Sequence, residues 1–387
     1  MRILRSIHSV NPAGGGPIEG IKQVARVHAA AGHETEIVSL DAPEAAWVKE
    51  CPVKVHAVGP GRTSYGYTPA FVPWLATHRR EYDAVIVSGL WQYSGFGVWR
   101  ALHGTDARYF VFPHGMLDPW FKRAYPQKHW KKWAVWPWAD YRLLRDARAV
   151  LFTSEEEMRA ARESFWLYRC NEKVVNYGVA APPGAAEAQK RSALERFPEM
   201  SGKRVILFLG RIHEKKGCDL LLKAFAKAAR DADPELRLVV AGPDHGGWAQ
   251  QLQALAASLQ ISGHIIWAGM LSGDVKWGML RLAEVFVLPS HQENFGIAVA
   301  EALACGTPVL ISNKVNIWRE IAEDQAGLVD DDDVAGTTRL LEQWLILPRE
   351  RKDAMRRNAE CSFRSRFEVT KAAQALIELI SARPPAN

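Results

Sequence analysis

VFVLPSHQENFGIAVAEALACGTPVLI, residues 285–311, sets the reading of the whole chain. Val285–Leu288 is a short apolar run of the kind that forms a strand buried on both faces. A polar loop from Pro289 to Gly296 follows, then a helical stretch, Ile297–Cys305, and another strand, Pro308–Ile311. Strand, loop, helix and strand repeat in a sheet of parallel strands covered on both faces. The same alternation extends outward. Strands are expected at Arg204–Leu209, Arg237–Ala241, His264–Trp267 and Gly327–Val329, and helices at Asp219–Arg230, Trp248–Leu259 and Val334–Leu347. Upstream, Ala180-Ala181-Pro182-Pro183-Gly184-Ala185-Ala186 has little to bury and two helix-breaking prolines, and reads as a linker. Before it, strands are expected at Arg2–Ile7, Thr35–Leu40, Ala84–Ser88, Tyr109–Phe112 and Ala149–Thr153, with helices at Thr68–His78 and Gly95–His103. A first helix, with Ile21, Val24, Ala25 and His28 on one face, ends at Gly32. The expectation is therefore α/β. A Rossmann-like domain spans 1–180 and a second 181–360, and a C-terminal helix within 361–387 packs back on the first and ends in a Pro-rich tail.

The 387 residues, 48% hydrophobic and 24% charged, agree with two or three soluble domains and exclude disordered, collagen-like and coiled-coil designs. No run of about 18 apolar residues predicts a membrane span, and Met1–Ile7 is too short and too polar for a signal peptide. The cysteines, Cys51, Cys170, Cys218, Cys305 and Cys361, are odd in number and far apart. They suit a reducing cytoplasm better than a disulfide framework or a zinc site. Net charge is +6, and all of it lies in the first half. Residues 1–180 carry 23 basic and 17 acidic side chains, and residues 181–387 carry 26 of each. That asymmetry points to an anionic partner for the first domain.

Four stretches sit where strands end and helices begin, the place where ligands bind in such sheets. Asn11-Pro12-Ala13-Gly14-Gly15-Gly16-Pro17 is either a plain tight turn or a loop that lets a phosphate approach the backbone. Phe112-Pro113-His114-Gly115 puts a histidine at a strand end. Gly210-Arg211-Ile212-His213-Glu214-Lys215-Lys216-Gly217 offers Arg as a planar fork and Lys as a point charge, the partners a diphosphate needs. In Glu293-Asn294-Phe295-Gly296 the backbone N–H groups precede a helix and suit an anion. Glu301 interrupts the apolar helix beyond, where a carboxylate is costly unless it is paired. The acidic run Asp330–Asp333 reads as a solvated turn that caps the next helix.

In this order the early Gly-Gly-x-Pro loop, G-R-x-x-x-x-K-G at 210–217, the pair Glu293/Glu301 and E-A-x-A-x-G-x-P-V from Glu301 to Val309 resemble the retaining GT-B glycosyltransferases of family 4, group 1. The resemblance covers nearly the whole chain. It implies two Rossmann-like domains facing across a cleft, and transfer of a sugar from a nucleoside-diphosphate sugar with retention. It assigns Arg211 and Lys216 to the donor diphosphate, Glu293 with the backbone of Asn294, Phe295 and Gly296 to the sugar hydroxyls, and Glu301 to the ribose. Backbone near Met270 would meet the base, Gly15 and Gly16 a phosphate or the acceptor, and His114 the sugar near the reacting carbon. No metal and no cofactor is implied, because two cations and a helix N-terminus would serve the leaving diphosphate. The chain departs from the family at Asn294, where glycine is frequent, and at Tyr177-Gly178-Val179, where Asn-Gly-Val is usual.

Residues 120–138 interleave Trp120, Trp130, Trp133, Trp136 and Trp138 with Lys122, Arg123, Lys128, Lys131 and Lys132. This is either a tryptophan-rich core helix with a basic outer face or a surface for anionic lipid, a lipid-linked acceptor or sugar rings. No nucleic-acid motif accompanies it. The expected partners are a nucleotide sugar and a glycan or lipid-linked acceptor of surface polysaccharide synthesis, with the protein in the cytoplasm or on the inner face of the plasma membrane. A sugar-nucleotide epimerase, a phosphorylase and a non-catalytic nucleotide-sugar-binding subunit remain as alternatives at this point.

Overall fold

Apolar β-strands buried on both faces alternate with helices along the whole chain, and they gather into two sheets. The computed structural model describes residues 1–12, 15–228, 233–244 and 246–382. Ala13 and Gly14 of the glycine-rich turn, residues 229–230 of the expected Asp219–Arg230 helix and the Pro-rich tail lie outside the described residues. The chain divides into two units, Met1–Ala180 with the segment from Val369 onward, and Ala181–Glu368.

The first unit holds β1 (Arg2–Ile7), β2 (Glu34–Ser39), β3 (Val55–Ala57), β4 (Ala84–Ser88), β5 (Tyr109–Phe112), β6 (Ala149–Phe152) and β7 (Glu172–Val174). All pair in parallel, in the order 3-2-1-4-5-6-7. Side chains alternate across a strand, so neighbours in sequence enter opposite cores. Leu4, Val85, Val87, Val111 and Phe152 pack on one face, and Ile3, Ile86, Phe110 and Leu151 on the other. The second face is closed by the C-terminal helix, Val369–Ser381, through Leu376 and Ile380. The buried His28 of the Gly16–Ala30 helix reaches the Ala373 carbonyl oxygen with Nε2 at 3.2 Å.

The second unit holds β8 (Arg204–Leu209), β9 (Leu236–Ala241), β10 (Ile265–Gly269), β11 (Val285–Leu288), β12 (Val309–Ser312) and β13 (Gly327–Asp330), parallel and in the order 10-9-8-11-12-13. Its last helix, Arg349–Ser362, runs into a π-helical turn, Phe363–Phe367, whose two phenylalanines are buried. The chain therefore leaves this unit at Glu368 and not at 360, because Phe363 and Phe367 are anchored in the second unit's core. Asp333 caps the Val334–Ile346 helix by accepting the Gly336 N–H at 2.6 Å, while Asp330 pairs with Arg339.

Candidate functional site

Strand order reverses between β8 and β11, and in open α/β sheets ligands bind outside the carboxyl ends of the strands at such a reversal. Those two ends lead into the loops 210–217 and 289–296. The His291 N–H donates to the Lys215 carbonyl at 2.9 Å, which joins the loops. Gly217 turns the chain at φ 67°, and a Cβ there would lie 2.1 Å from the Pro289 carbonyl oxygen, so only glycine fits. The far side of the second loop is tied to the segment after β12: the Glu293 N–H donates to the Lys314 carbonyl at 2.9 Å, and the Asn316 N–H to the Glu293 carbonyl at 3.0 Å.

These ties bring Lys216 and Glu293 together, and Arg211 is near enough for its charge to act on Lys216. Lys216 ends a short 3₁₀ turn, Glu214–Lys216, and its ammonium is ion-paired with Glu293 Oε2. Burial, and then the cations Lys215 and Arg211, lower the affinity of Lys216 for its proton. Arg211 is exposed and makes no ion pair among the described residues. Glu293 keeps Oε1 for a further donor. Asn294 accepts from Asn316 Nδ2 at 3.4 Å, and Phe295 is buried edge-on against Phe367, with ring centroids 5.8 Å apart. Gly296 caps the Ile297–Ala304 helix.

Glu301, one turn into that helix, is buried and paired through Oε1 with Lys276 at 2.7 Å, which leaves Oε2 for a ligand. Lys276 was not legible in the sequence. It stands 25 residues from its partner, in the Gly273–Leu282 helix. His291, quoted in the sequence only as part of the loop, pairs with Asp332 at 2.9 Å. Met270, directly after β10, is 76% exposed. The second unit's site thus combines three cations, Arg211, Lys216 and Lys276, with two carboxylates, Glu293 and Glu301, each with one oxygen unbonded among the described residues.

In the first unit, Gly15 caps and Gly16 begins the helix after β1, with the Gly15 N–H donating to the Pro12 carbonyl at 3.0 Å. Tyr177 links this end to His114. Its hydroxyl donates to the Gly16 carbonyl at 2.7 Å, its ring meets the His114 ring edge-on at 6.3 Å, and Gly20 leaves it room, since a Cβ there would collide with the hydroxyl. His114 stands at φ 52°, a left-handed conformation that costs a non-glycine residue energy. Its Nε2 is buried with no partner among the described residues. Burial, and then the charge of Arg5, push its pKa down to about 3, so the imidazole is neutral at physiological pH. Arg5 is itself buried, stacked over Phe112 and bonded to Ser88 Oγ at 3.2 Å.

The neighbouring Gly115 N–H donates to Glu157 Oε1 at 2.5 Å, while Glu157 Oε2 takes the N–H and hydroxyl of Thr153, each at 2.7 Å. Glu157 therefore ties the end of β5 to the end of β6. Ser154-x-x-Glu157 is a capping-box spacing, a signal that could have located it. The tryptophan segment forms two helices, Trp120–Ala124 and Pro126–Val135, followed by Trp136. It is core and surface at once. Trp136 is fully buried, stacked on Phe165 at 4.2 Å, whereas Trp130, Trp133 and Trp138 are exposed.

Residues 15–178 match the glycosyl transferase 4-like domain, and residues 190–361 match glycosyl transferases group 1. D-inositol 3-phosphate glycosyltransferase of Corynebacterium jeikeium is 29% identical over 256 residues, 64% of this chain and 60% of that protein. The enzyme of the same name from Thermomonospora curvata is 34% identical over 177 residues, 44% of this chain and 40% of that protein. The chain thus spans 60% or less of the length of these curated relatives. Among solved structures, Anabaena HepE in complex with UDP and glucose is similar at TM-score 0.77 and 16% identity, covering 98% of this chain and 99% of that one. Sucrose-phosphate synthase from Thermosynechococcus elongatus is similar at TM-score 0.77 and 19% identity, covering 98% of each chain. At these identities the likeness concerns the fold, two Rossmann-like units of the GT-B type.

Proposed function

The chain belongs to the group 1 glycosyl transferases, and on that premise we propose that it moves a hexose from a nucleoside-diphosphate sugar to a glycan or lipid-linked acceptor with retention at the anomeric carbon. One observation carries this reading: the two loops at the strand-order reversal are bonded together, with Lys216 ion-paired to Glu293 and Arg211 near enough for its charge to act on Lys216. In such a transfer the sugar becomes oxocarbenium-like while negative charge grows on the leaving diphosphate. Fixed cations aimed at that charge stabilise the transition state more than the ground state. Arg211 and Lys216 fill this role without a metal ion. Glu293 Oε1 accepts from the sugar hydroxyls with the backbone of Asn294, Phe295 and Gly296 beside it, and Glu301 Oε2 accepts from the ribose. The chain after β10, at Met270, meets the base.

The first unit supplies the acceptor side, with Gly15 and Gly16 facing a phosphate or the acceptor and the neutral His114 imidazole hydrogen-bonding the sugar near the reacting carbon. The UDP and glucose bound by HepE make a uridine donor the first to try. The process served is surface polysaccharide synthesis. The exposed Trp130, Trp133 and Trp138, with Lys122, Arg123, Lys128 and Lys131 exposed around them, favour peripheral docking on an anionic membrane face. No helix among the described residues is long and apolar enough to cross a membrane.

The test is donor turnover in EDTA with α-linked nucleoside-diphosphate hexoses and candidate acceptors, the product anomer being read by NMR. An α-linked product formed in the presence of EDTA is expected. A β-linked product, or activity lost in EDTA and restored by Mg²⁺, overturns the reading. Docking is tested by co-sedimentation with vesicles, and binding that ignores both anionic lipid and salt overturns it.

A further inference from the structure

The first unit contains a pocket that the donor-site roles do not use, although Lys122 and Lys128 on its wall also belong to the surface proposed above for membrane docking. It opens between the Trp120–Ala124 and Pro126–Val135 helices and the turn after β4, and Lys122, Lys128 and Lys132 stand on its wall with Trp91, Phe121 and Tyr125. Its cavity is about 50 Å³, several times the roughly 10–15 Å³ that one water needs and on the scale of a phosphate or carboxylate group.

Three features of this pocket point to an anion. None of the three lysines has an ion-pair partner among the described residues. Two of them rest on aromatic faces instead: Lys132 Nζ lies 4.6 Å from the Trp91 ring centre, and Lys128 Nζ lies 5.0 Å from that of Tyr125. A carboxylate on the wall, Asp118, opposes an anion, and its Oδ1 accepts the Trp120 N–H at 2.8 Å. A strained residue is also here. Trp91 stands at φ 66°, unfavourable for a bulky side chain, and is held there by its N–H donating to the buried Asp140 at 2.9 Å. Its indole N–H is buried with no acceptor among the described residues. Backbone strain of this kind collects at ligand sites, and buried donors are normally satisfied. A ligand oxygen in the pocket would take the indole N–H and neutralise the lysines, while the rings cover the apolar face of whatever carries that oxygen.

We propose that this pocket binds the phosphate or carboxylate of an anionic acceptor, so that the chain glycosylates a sugar bearing an acidic group, free or on a lipid phosphate. This rests on the glycosyl-transfer reading and narrows its acceptor class. The test is calorimetric titration of the full chain, without donor, by glucose 1-phosphate, by inorganic phosphate and by glucose. Saturable binding of the two phosphates and none of glucose is expected. Lys122→Ala/Lys128→Ala, which alters two exposed side chains, weakens binding at least about tenfold, or 1.4 kcal/mol. Trp91→Phe, which keeps a ring and loses the N–H, also weakens it.

The nucleotide loop can bind phosphate as well, so Arg211→Ala is the control. Binding that survives Arg211→Ala and is lost in the double variant supports the pocket. The reverse pattern, or no saturable binding, overturns it. Displacement of glucose 1-phosphate by vesicles containing phosphatidic acid, but not by phosphatidylcholine alone, supports a lipid-borne phosphate, and no displacement supports a free phosphosugar. Because no donor is present, phosphate binding without donor turnover faults only the transferase reading. Turnover without phosphate binding faults only the pocket.

Discussion

Replacing Lys216 by methionine removes the ammonium and keeps most of the side-chain volume. The Lys216 and Glu293 side chains are 12% and 20% exposed, so the carboxylate is left largely dry and unpaired. Removing one partner of a buried pair costs about 3–5 kcal/mol, and this partly wet pair falls at or below the lower end, ~2–3 kcal/mol. In Lys216→Met/Glu293→Gln no charge is stranded, and stability should return to within ~1 kcal/mol of wild type. Turnover should behave differently. If Lys216 stabilises the departing diphosphate, its loss costs roughly 2.7–4 kcal/mol of barrier, about 10²–10³-fold in rate, and the second substitution restores none of it. Urea unfolding measured beside donor turnover separates the two effects. Wild-type turnover in the double variant would refute the catalytic role, and wild-type stability in Lys216→Met would refute the pairing.

Three further outcomes follow from the same geometry. Gly217→Ala forces a Cβ onto the Pro289 carbonyl at φ 67° and should cost ~1–3 kcal/mol in urea unfolding and lower turnover; an unchanged midpoint contradicts the close approach. Burial pushes Glu284 up, but the hydrogen bonds and charges of Arg204 and Lys352 together outweigh it and hold it at about 2. Its contribution, ~1–3 kcal/mol after discounting for solvent, is complete above its ordinary pKa and is lost as pH falls through about 2. The gap between wild type and Glu284→Gln should therefore narrow from pH 7 to pH 3, and a constant gap contradicts it. Trp136→Ala should cost ~3–5 kcal/mol, whereas Trp130→Ala should stay within about 0.5 kcal/mol and weaken sedimentation with anionic vesicles. Equal costs for the two tryptophans would contradict the division of that segment into core and surface.

What the sequence made legible follows from burial. Ala84–Ser88, Tyr109–Phe112, Arg204–Leu209 and Val285–Leu288 are apolar runs inside doubly covered sheets, and their limits agree with the observed strands. The edge strands Val55–Ala57 and Glu172–Val174 went unseen because a three-residue, half-exposed edge needs no apolar run. The charged loop residues stood out because each follows a strand. Their partners did not: Lys276 for Glu301, Tyr177 for His114 and Gly16, and Lys132 against Trp91 are set by packing between distant segments, which no local pattern encodes. Glu301 did signal that a partner must exist, since a buried carboxylate requires one.

Calorimetric titration of UDP and GDP into wild type and Arg211→Ala tests the central claim, that the loops after β8 and β11 form a diphosphate site. Saturable binding of at least one of them is predicted, weakened at least about tenfold by losing the exposed guanidinium. Binding of neither nucleotide, or equal binding by both proteins, would contradict the account.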